Sequence, residues 1–205
     1  MKIYPSIMGK SQKKINVLFR KYEEIVKELH LDVADGKFVP NKSLWFRFKL
    51  SHKFKYNAHL MVKNPLGWIK ENGSRVDLCI VSFEAVKDVG MFIDYMKKRR
   101  KKVAFSLNPE TKVSSVKGYL QEVDVVLILT VHPGFYGAKY LKSPLRKIAQ
   151  IKKINPKIKI IVDGGMNPNT ICDAKRAGAD AIVSGSYLAK AENVRKAIRE
   201  LKNHF

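Results

Sequence analysis

The sequence predicts an α/β protein of the (β/α)8 TIM-barrel class. Eight short runs rich in β-branched and apolar residues follow one another at a fairly even spacing along the chain. The segments between them carry apolar residues three and four positions apart, as in Phe92, Tyr95 and Met96, which is the period of a helix. Because strands that alternate with helices form right-handed βαβ units, eight such units predict a closed parallel barrel.

The predicted strands span most of the chain. They are residues 2–6, 28–33, 56–61, 77–83, 102–107, 125–131, 158–162 and 181–184. A flavodoxin-like open sheet is the main alternative, but it would leave about three of these strands unplaced. A length of 205 residues leaves little room beyond the barrel, so we predict a single (β/α)8-barrel domain over residues 1–205.

The composition is that of an ordinary globular protein, with 45% hydrophobic residues. No apolar run approaches the roughly 18 residues that span a bilayer, and the first residues lack the features of a signal peptide. These observations predict a cytoplasmic protein that has no membrane partner. Cys79 and Cys172 lack CxxC spacing, so we expect buried, reduced thiols rather than a disulfide or a thiolate metal site.

The formal net charge of +22 arises from 40 Lys and Arg against 18 Asp and Glu. Such a charge attracts polyanions and steers small anionic substrates toward the protein. The basic residues are spread along the whole chain, however, which does not favour a dedicated nucleic-acid surface. The segment 45–56 interleaves aromatic and basic residues, a pattern compatible with stacking on single-stranded nucleic acid. Its position between the second and third strands favours instead a helix whose aromatic face packs on the barrel or on another subunit.

Polar side chains cluster where the predicted strands end. Ser6, His30, Asp32, His59 and Asp163 all lie at or near the C-terminal end of a strand. In TIM barrels that face carries the active site. One polar residue at a strand end would mean little, but several that converge from different strands predict a functional site.

The motif His30-Leu31-Asp32 places two polar side chains two positions apart, so on a strand they project to the same side. Taken alone, this spacing favours a buried His–Asp hydrogen bond over a metal site. Adding His59 from the third strand and Asp163 from the seventh changes the interpretation. Four nitrogen and oxygen ligands suit Zn²⁺, Fe²⁺ or Mn²⁺.

Glycine-containing turns follow the late strands, at residues 133–137 and 184–186, with Asp163-Gly164-Gly165 between them. Backbone amides in such turns can surround a phosphate, and TIM barrels often bind phosphate in the loops after strands seven and eight. Each turn alone is a weak signal. Together they predict a phosphorylated substrate.

A series of motifs resembles one enzyme family over almost the whole chain. In order, the motifs are PSI (5–7), HLDVADGKFVPN (30–41), HLMV (59–62), EA (84–85), LNP (107–109), HPGF followed by a glycine (132–137), VDGGMN (162–167) and SGS (184–186). The chain resembles the ribulose-phosphate 3-epimerases. The resemblance implies a TIM barrel of the ribulose-phosphate binding type, which forms homo-oligomers. It also implies reversible conversion of D-ribulose 5-phosphate and D-xylulose 5-phosphate in the pentose phosphate pathway.

The resemblance also implies a metal site and a set of substrate contacts. One divalent metal ion, Zn, Fe, Mn or Co, would be held by His30, Asp32, His59 and Asp163, with Asp32 and Asp163 as the acid–base pair. The implied substrate-binding residues are Ser6, His59, Met61, Gly134, Phe135, Tyr136, Gly137, Gly164, Gly165, Gly185 and Ser186. Inverting a carbon next to a ketone requires removing a proton from one face and returning one to the other, which two carboxylates on opposite walls can do. The metal would stabilise the cis-enediolate as a Lewis acid.

The chain departs from the family pattern beside the predicted site. Ala34 and Leu129 stand where relatives usually carry methionine, which leaves Met61 from a sulfur-lined pocket, and Ser82 stands where histidine is common. Tyr136, Gly137 and Ala138 replace a Gly-Gly-Gln sequence. None of these changes removes a predicted metal ligand. We expect the chemistry to persist, with a looser wall beside Ala34 unless a neighbour fills the space.

Three alternative functions follow from these observations. The first is epimerisation of another ketose phosphate, such as a hexulose 6-phosphate. The second is a decarboxylase of the same barrel type, which is disfavoured because the catalytic lysine of Asp-x-Lys-x-x-Asp is missing after Asp32. The third is a basic barrel that has lost catalysis and binds RNA or another polyanion; the intact set of four ligands speaks against it.

Overall fold

The computed structural model describes residues 1–134 and 137–204. Its strands are β1 (Lys2–Ile7), β2 (Glu28–Asp35), β3 (Lys42–Ser43), β4 (Lys55–Met61), β5 (Leu78–Ser82), β6 (Ala104–Leu107), β7 (Val125–Leu129), β8 (Lys159–Asp163) and β9 (Ala181–Ser184). Its α-helices are α1 (Gln12–Tyr22), α2 (Pro65–Asn72), α3 (Val89–Lys98), α4 (Val113–Val116), α5 (Arg146–Ile154), α6 (Ile171–Arg176), α7 (Ser186–Lys190) and α8 (Val194–Asn203). Single 3-10 segments cover Gly73–Arg75, Phe83–Ala85, Lys117–Glu122 and Ser143–Leu145.

Eight of these strands close into a parallel barrel. Their order is β1-β9-β8-β7-β6-β5-β4-β2, and β1 also pairs with β2, which joins the two ends of the sheet. The predicted (β/α)8 TIM-barrel class is therefore confirmed. The sequence did not predict β3, a two-residue strand that pairs antiparallel with the end of β2 through Ala34 and Ser43. This strand folds the loop after β2 back over the C-terminal end of the barrel.

Side chains along each barrel strand alternate between the helices outside and the barrel interior. On β2, Leu29, Leu31 and Val33 belong to the apolar core shared with the helices, whereas His30 and Asp32 lie on the opposite side of the strand. A second apolar cluster fills the interior and consists of Ile80, Ala104, Val125, Leu127, Leu129, Ile161, Ala181 and Val183. The polar residues of the barrel interior are therefore exceptions in an apolar core, which indicates a functional role rather than a packing role.

Three aspartates tie neighbouring strands together at the N-terminal rim of the barrel. Each lies just before or at the start of one strand and accepts the backbone N–H at the start of the preceding strand. The pairs, all at 2.8 Å, are Asp77 with Tyr56, Asp124 with Val103, and Asp180 with Ile160. These bonds satisfy backbone N–H groups that have no partner on a neighbouring strand. The N-terminal rim of the barrel therefore contributes to the stability of the fold.

Asp180→Ala is expected to lower the free energy of unfolding by about 1–3 kcal/mol, because the substitution removes the acceptor of the Ile160 amide. Asp180 also accepts from Lys152 Nζ at 3.0 Å and lies 3.4 Å from Lys159 Nζ. Burial raises the pKa of Asp180, but these hydrogen bonds and charges outweigh burial and hold the pKa below its ordinary value. A lowered folded-state pKa stabilises the fold above about pH 4, and this stabilisation is lost as the pH falls further.

Urea unfolding at pH 7 and at pH 3 measures this effect. The difference between wild-type and Asp180→Ala protein should be largest at pH 7 and should shrink at pH 3. The exposed Asp94 provides the control, since Asp94→Ala should change stability by less than about 0.5 kcal/mol. An Asp180→Ala protein as stable as wild type at pH 7 would contradict the assignment.

The segment 45–56 does not form the predicted helix, so that prediction was wrong. Residues 45–54 have an irregular backbone, and β4 begins at Lys55. Phe54 and Tyr56 nevertheless pack against Phe19 of α1, with ring centroids 6.0 and 6.1 Å from that of Phe19. Trp45 is 45% exposed. The aromatic side chains thus pack on the barrel in part, as expected, but without a helix to carry them.

The sequence of this segment explains the difference. Its aromatic and basic residues alternate with a period of two, which places no continuous apolar stripe on a helix. The backbone is instead held by a side chain of α1. Lys49 N donates to Gln12 Oε1 at 2.8 Å, and Gln12 Nε2 donates to Lys49 O at 3.1 Å.

Neither cysteine forms a disulfide. Cys79 is buried in β5, and burial raises the pKa of its thiol to about 11. Cys172 in α6 is only half-buried, so the expectation that both thiols are buried was correct for Cys79 alone. Across residues 1–134 and 137–204, no helix combines the length and the apolar character needed to cross a bilayer.

Candidate active site

Four side chains converge at the C-terminal end of the barrel. His30 and Asp32 come from β2, His59 comes from β4, and Asp163 is the last residue of β8. One ligand atom from each residue lies within 4.8 Å of the others. Asp32 and His59 are direct neighbours in the register of β2 and β4, which explains how these two strands meet at the site. The structure therefore brings together the same four residues that the sequence predicted.

The nitrogens of the two histidines face both carboxylates. His30 Nε2 is 3.5 Å from Asp32 Oδ1 and 3.8 Å from Asp163 Oδ2. His59 Nδ1 is 4.0 Å from Asp32 Oδ1 and 3.7 Å from Asp163 Oδ2. These separations are too long for hydrogen bonds. They are close to the roughly 3.4 Å that separates ligand atoms arranged tetrahedrally at 2.0–2.2 Å from one cation.

The donor atoms fit a divalent cation. Among the described residues, His30 Nε2 and His59 Nδ1 are buried and have no hydrogen-bond partner. Buried polar atoms are nearly always paired, so two unpaired imidazole nitrogens beside two carboxylates call for an explanation. A cation shared by all four residues would satisfy both nitrogens and separate the carboxylate charges.

The second nitrogen of each ring is held by a buried polar residue. His30 Nδ1 is hydrogen-bonded to Asn57 Oδ1 on β4, and His59 Nε2 lies 2.9 Å from Ser106 Oγ on β6. Burial lowers the pKa of His30, but Asp32, followed by Asp163, outweighs burial and raises the pKa above its ordinary value. The hydrogen bonds with Asn57 and Ser106 fix the orientation of the two imidazole rings, although neither Asn57 nor Ser106 reaches the cavity above.

A cavity opens directly above these four residues. Asp32, His59 and Asp163 line it, whereas His30 is fully buried beneath them. The predicted substrate-binding residues that line the same cavity are Ser6, His59, Met61, Gly134, Gly137, Gly164, Gly165, Gly185 and Ser186. Two further residues predicted to bind substrate, Phe135 and Tyr136, lie outside the described residues. The loops after β7, β8 and β9 form one side of the cavity, and the aspartates and His59 form its floor.

The turn after β8 requires glycine at position 164. Gly164 has φ +113°, and a Cβ atom there would lie 2.6 Å from Val131 Cγ2 and 3.0 Å from the Val131 backbone nitrogen. Thr130 fixes this turn from the end of β7. Its Oγ1 donates to the carbonyl oxygens of Asp163 at 3.0 Å and of Gly164 at 2.6 Å. The position of Asp163 in the site therefore depends on close packing between the ends of β7 and β8.

Gly164→Ala is expected to destabilise the protein by about 2 kcal/mol or more, from the unfavourable φ and the contact with Val131 together. Gly118 provides a matched control, since a Cβ there has no described atom within 4 Å. Gly118→Ala should change stability by less than about 1 kcal/mol. Thermal and urea unfolding of both variants measure the difference, and equal stability of the two variants would contradict the packing argument.

The space beside Ala34 is filled by its neighbours. Ala34 is fully buried and packs with Val39 and Met61, and the half-buried Phe38 packs against this group. Ala34 does not line the cavity. The loop after β2 thus supplies the atoms that a longer side chain at position 34 would otherwise provide. Leu129, the second departure from the family pattern, does line the cavity.

Sequence reasoning missed several residues of the site. Met8 and Met166 both line the cavity, so Met61 is not its only sulfur-containing residue. Asn57, Ser106 and Thr130 hold site residues in place but stand in no motif that signals such a role. Asn57 and Ser106 could have been found from strand alternation, because a polar residue on the interior side of a barrel strand needs a partner.

Fold and site together define a TIM-barrel enzyme with a candidate divalent-metal centre and an adjoining cavity. The model of the ribulose-phosphate 3 epimerase family matches residues 2–189. The chain belongs to the ribulose-phosphate 3-epimerase family and is an isomerase-class enzyme. This confirms the resemblance drawn from the sequence motifs.

Three relatives that bear the name ribulose-phosphate 3-epimerase illustrate this similarity. The chain is 34% identical over 185 residues to ribulose-phosphate 3-epimerase of Aquifex aeolicus (strain VF5), covering 85% of this chain and 83% of the relative. It is 32% identical over 211 residues to the Methanocaldococcus jannaschii enzyme of the same name, covering 98% and 90%. The Chlamydia pneumoniae enzyme of that name is 32% identical over 202 residues, covering 93% and 88%.

Solved structures with low sequence identity share the fold. A mutant tryptophan synthase α-subunit from Pyrococcus furiosus superposes with a TM-score of 0.71 at 16% identity, covering 98% of both chains. The 3-hexulose-6-phosphate synthase from Salmonella typhimurium gives a TM-score of 0.67 at 16% identity, covering 100% of this chain and 98% of the other. These similarities concern the TIM barrel alone.

Proposed function

We propose that this protein interconverts D-ribulose 5-phosphate and D-xylulose 5-phosphate by moving a proton at C3. The observation that carries the proposal is the convergence of Asp32, Asp163, His30 and His59 within 4.8 Å at the floor of a cavity. Two carboxylates at one point suit a reaction that removes a proton and returns it to the opposite face. The names of the relatives support the same reaction.

Asp32 and Asp163 are the proposed acid–base pair. Asp32 enters the site from β2 and Asp163 from β8, and β1 and β9 separate these strands in the barrel. The carboxylates therefore approach a bound sugar from different walls. One takes the C3 proton and leaves an enediolate, and the other, in its protonated form, delivers a proton to the opposite face. The side chain of Asp163 is 16% exposed and that of Asp32 is 8% exposed, so the barrel shields both carboxylates largely from bulk water while they still border the cavity.

The proposed metal ligands are His30, Asp32, His59 and Asp163. A divalent cation held there supplies positive charge, as a Lewis acid, next to the substrate oxygens that become negative during proton removal. His30 and His59 contribute neutral nitrogen lone pairs, since the other nitrogen of each ring is engaged with Asn57 or Ser106. Asp32 and Asp163 would each offer the oxygen that faces the histidines, and the second oxygen of either carboxylate would stay available for the proton.

The proposed substrate contacts surround the same cavity. Glycines at 164, 165 and 185, together with Ser186, offer backbone amides in the loops after β8 and β9, where TIM barrels commonly bind phosphate. Ser6, Met61, Gly134 and Gly137 line the remainder, and Phe135 and Tyr136 are proposed from the family motif alone. The net charge of +22 would help to draw a sugar phosphate into this cavity.

Turnover in deuterium oxide tests the reaction. The protein is loaded with Zn²⁺, Fe²⁺, Mn²⁺ or Co²⁺ and incubated with D-ribulose 5-phosphate, and NMR follows both the formation of xylulose 5-phosphate and deuterium at C3. We expect product that carries solvent deuterium. Elemental analysis of the purified protein gives the metal bound per chain, and a hexulose 6-phosphate as second substrate measures specificity. Absence of turnover by metal-loaded protein, or greater kcat/KM on the hexulose phosphate, would overturn the assignment of substrate.

Three further expectations accompany this proposal. The whole chain, residues 1–205, is proposed to act as one catalytic domain, and homo-oligomers and a cytoplasmic location stay predictions from the sequence. Light scattering of the purified protein measures the oligomeric state. Binding of nucleic acid remains the alternative explanation for the net charge, and salt-sensitive binding of RNA by metal-free protein would support it.

A further inference from the structure

A chain of buried hydroxyl groups connects His59 to the backbone of its own strand. His59 Nε2 is 2.9 Å from Ser106 Oγ, Ser106 Oγ is 3.4 Å from Ser82 Oγ, and Ser82 Oγ is 3.2 Å from the carbonyl oxygen of Leu60. The three groups come from the interior sides of β4, β6 and β5. His59 and Ser106 have no exposed surface, and Ser82 is 1% exposed. We refer to Ser106 and Ser82 as the serine relay.

The direction of each hydrogen bond in the serine relay follows from its last member. A carbonyl oxygen can only accept, so Ser82 donates its hydrogen to Leu60 O. Ser82 Oγ is then free to accept, and it accepts from Ser106. Ser106, having donated its single hydrogen, accepts from His59. The proton of the His59 ring therefore sits on Nε2, and Nδ1 carries the lone pair.

The lone pair on His59 Nδ1 points toward Asp32 and Asp163, at 4.0 and 3.7 Å. His30 reaches the same pair of carboxylates through its other nitrogen. Its Nδ1 is bonded to Asn57 Oδ1, an acceptor, so Nε2 carries the lone pair. The two histidines thus hold opposite tautomers, each set by a buried partner on a neighbouring strand. The other tautomer of His59 would direct an N–H at the carboxylates and could not bind a cation.

We infer that Ser106 and Ser82 are positioning residues for the metal centre and act on it through His59. The inference rests on the proposed function, because it concerns the metal that the proposal assigns to the site. Partners of ligating histidines fix the ring and its tautomer, and their loss typically weakens metal binding about 10–100-fold. Since the relay is closed to solvent, no water replaces a lost hydroxyl without rearrangement. Ser82 thereby acts on the site through its hydrogen bond with Ser106.

The relay predicts a graded loss of metal affinity. Ser106→Ala removes the direct acceptor of His59 Nε2–H and should raise the Kd for Zn²⁺ about 10–100-fold. Ser82→Ala leaves Ser106 in place and breaks the longest link, 3.4 Å, so its effect should be smaller than that of Ser106→Ala. Ser106→Thr keeps the hydroxyl group and should recover most of the affinity. Competition with a chromophoric chelator measures the Kd of all three variants.

The absorption spectrum of Co²⁺-loaded protein provides a second readout that does not depend on turnover. Cobalt d–d bands report the ligands and their arrangement, so Ser106→Ala should shift or weaken these bands while Ser106→Thr resembles wild type. Ser184 supplies the matched control, because it is a fully buried serine at the end of β9 whose hydroxyl donates to Met166 O at 2.9 Å. Ser184→Ala should leave the Zn²⁺ Kd and the cobalt bands unchanged. Urea unfolding of the metal-free variants separates a loss of fold from a loss of metal binding.

The outcomes distinguish the relay from the proposed function. If wild-type protein binds no divalent metal, the proposed function fails and the serine relay has no metal centre to act on. If wild-type protein binds metal and folded Ser106→Ala binds it with the same Kd and the same cobalt spectrum, the relay inference alone is overturned. Equal loss in Ser106→Ala and Ser184→Ala would assign the effect to general destabilisation and would likewise overturn it.

Discussion

Asp163→Asn is expected to lower kcat for epimerisation by about 10³–10⁴-fold, toward the upper end of what a general acid–base residue contributes. An amide of the same shape neither takes nor delivers the C3 proton. Its oxygen also binds a cation more weakly than a carboxylate does. Asp32→Asn should have a comparable effect, since the proposed reaction uses one carboxylate on each face in each direction.

The structure indicates that the Asp163→Asn protein folds. Asp163 is held through its backbone, which accepts from Thr130 N at 2.8 Å and from Thr130 Oγ1 at 3.0 Å. These bonds do not involve the side chain. Among the described residues its Oδ2 faces His30 and His59 at 3.8 and 3.7 Å, beyond hydrogen-bond distance. Asparagine is as large as aspartate, so the substitution removes the acid–base carboxylate and leaves the packing of residue 163 unchanged.

Measurement of Asp163→Asn needs to separate proton transfer from metal binding. The variant is assayed at saturating substrate with Zn²⁺ or Mn²⁺ well above its measured Kd, and its metal content is determined in parallel. Asp94→Asn, at an exposed site on α3, should keep wild-type kcat and KM. If metal-loaded Asp163→Asn retained more than about one-tenth of wild-type kcat, Asp163 would not be an acid–base residue.

Removing the metal is expected to abolish turnover and to lower the melting temperature at the same time. A ligand present at about 1,000 times its Kd stabilises the folded state by about 4 kcal/mol, and this contribution disappears when the ion is withdrawn. Withdrawal also leaves His30 Nε2 and His59 Nδ1 unpaired in the barrel interior and the carboxylates of Asp32 and Asp163 unscreened. Activity and stability should therefore fall together and return together.

The experiment compares protein dialysed against a chelator with the same protein after addition of Zn²⁺, Fe²⁺, Mn²⁺ or Co²⁺. Elemental analysis confirms removal, and the melting temperature and kcat are measured on each sample. Mg²⁺ serves as the control ion, because two nitrogen ligands suit it poorly. Full activity in protein that contains less than one-tenth of an equivalent of metal would exclude a catalytic metal.

The sequence alone predicts the architecture and the four residues that converge at the candidate metal site. Alternation of apolar runs with helical periods predicts the barrel, and the period of two along a strand places His30 and Asp32 on the same side of β2. Both patterns depend only on short stretches of the sequence, so they can be recognised without knowledge of the tertiary contacts. The family motifs predicted the residues around the cavity, and nine of those eleven residues line it.

Segment 45–56 shows the limit of local reasoning. The period of two in its sequence gives a helix no continuous apolar stripe, and the contacts of Gln12 with Lys49, and of Phe54 and Tyr56 with Phe19, hold the irregular backbone that forms instead. Those contacts join parts of the chain that are far apart in sequence. Beside Ala34 the sequence indicated a looser wall unless a neighbour filled the space, and Val39 from the loop after β2 packs there together with Met61.

The way the proposed ligands are held depends on tertiary contacts that no local pattern of the sequence predicts. Ser82 and Ser106 stand 24 residues apart and belong to no shared motif, yet the parallel register of β5 and β6 pairs the two residues directly, and Ser106 reaches His59 on β4. The sequence predicts that His59 faces the site but not which nitrogen binds, because a tautomer depends on the partner of the other nitrogen. Strand identity and alternation are encoded locally, whereas the partner of an interior side chain is set by the register between neighbouring strands of the barrel.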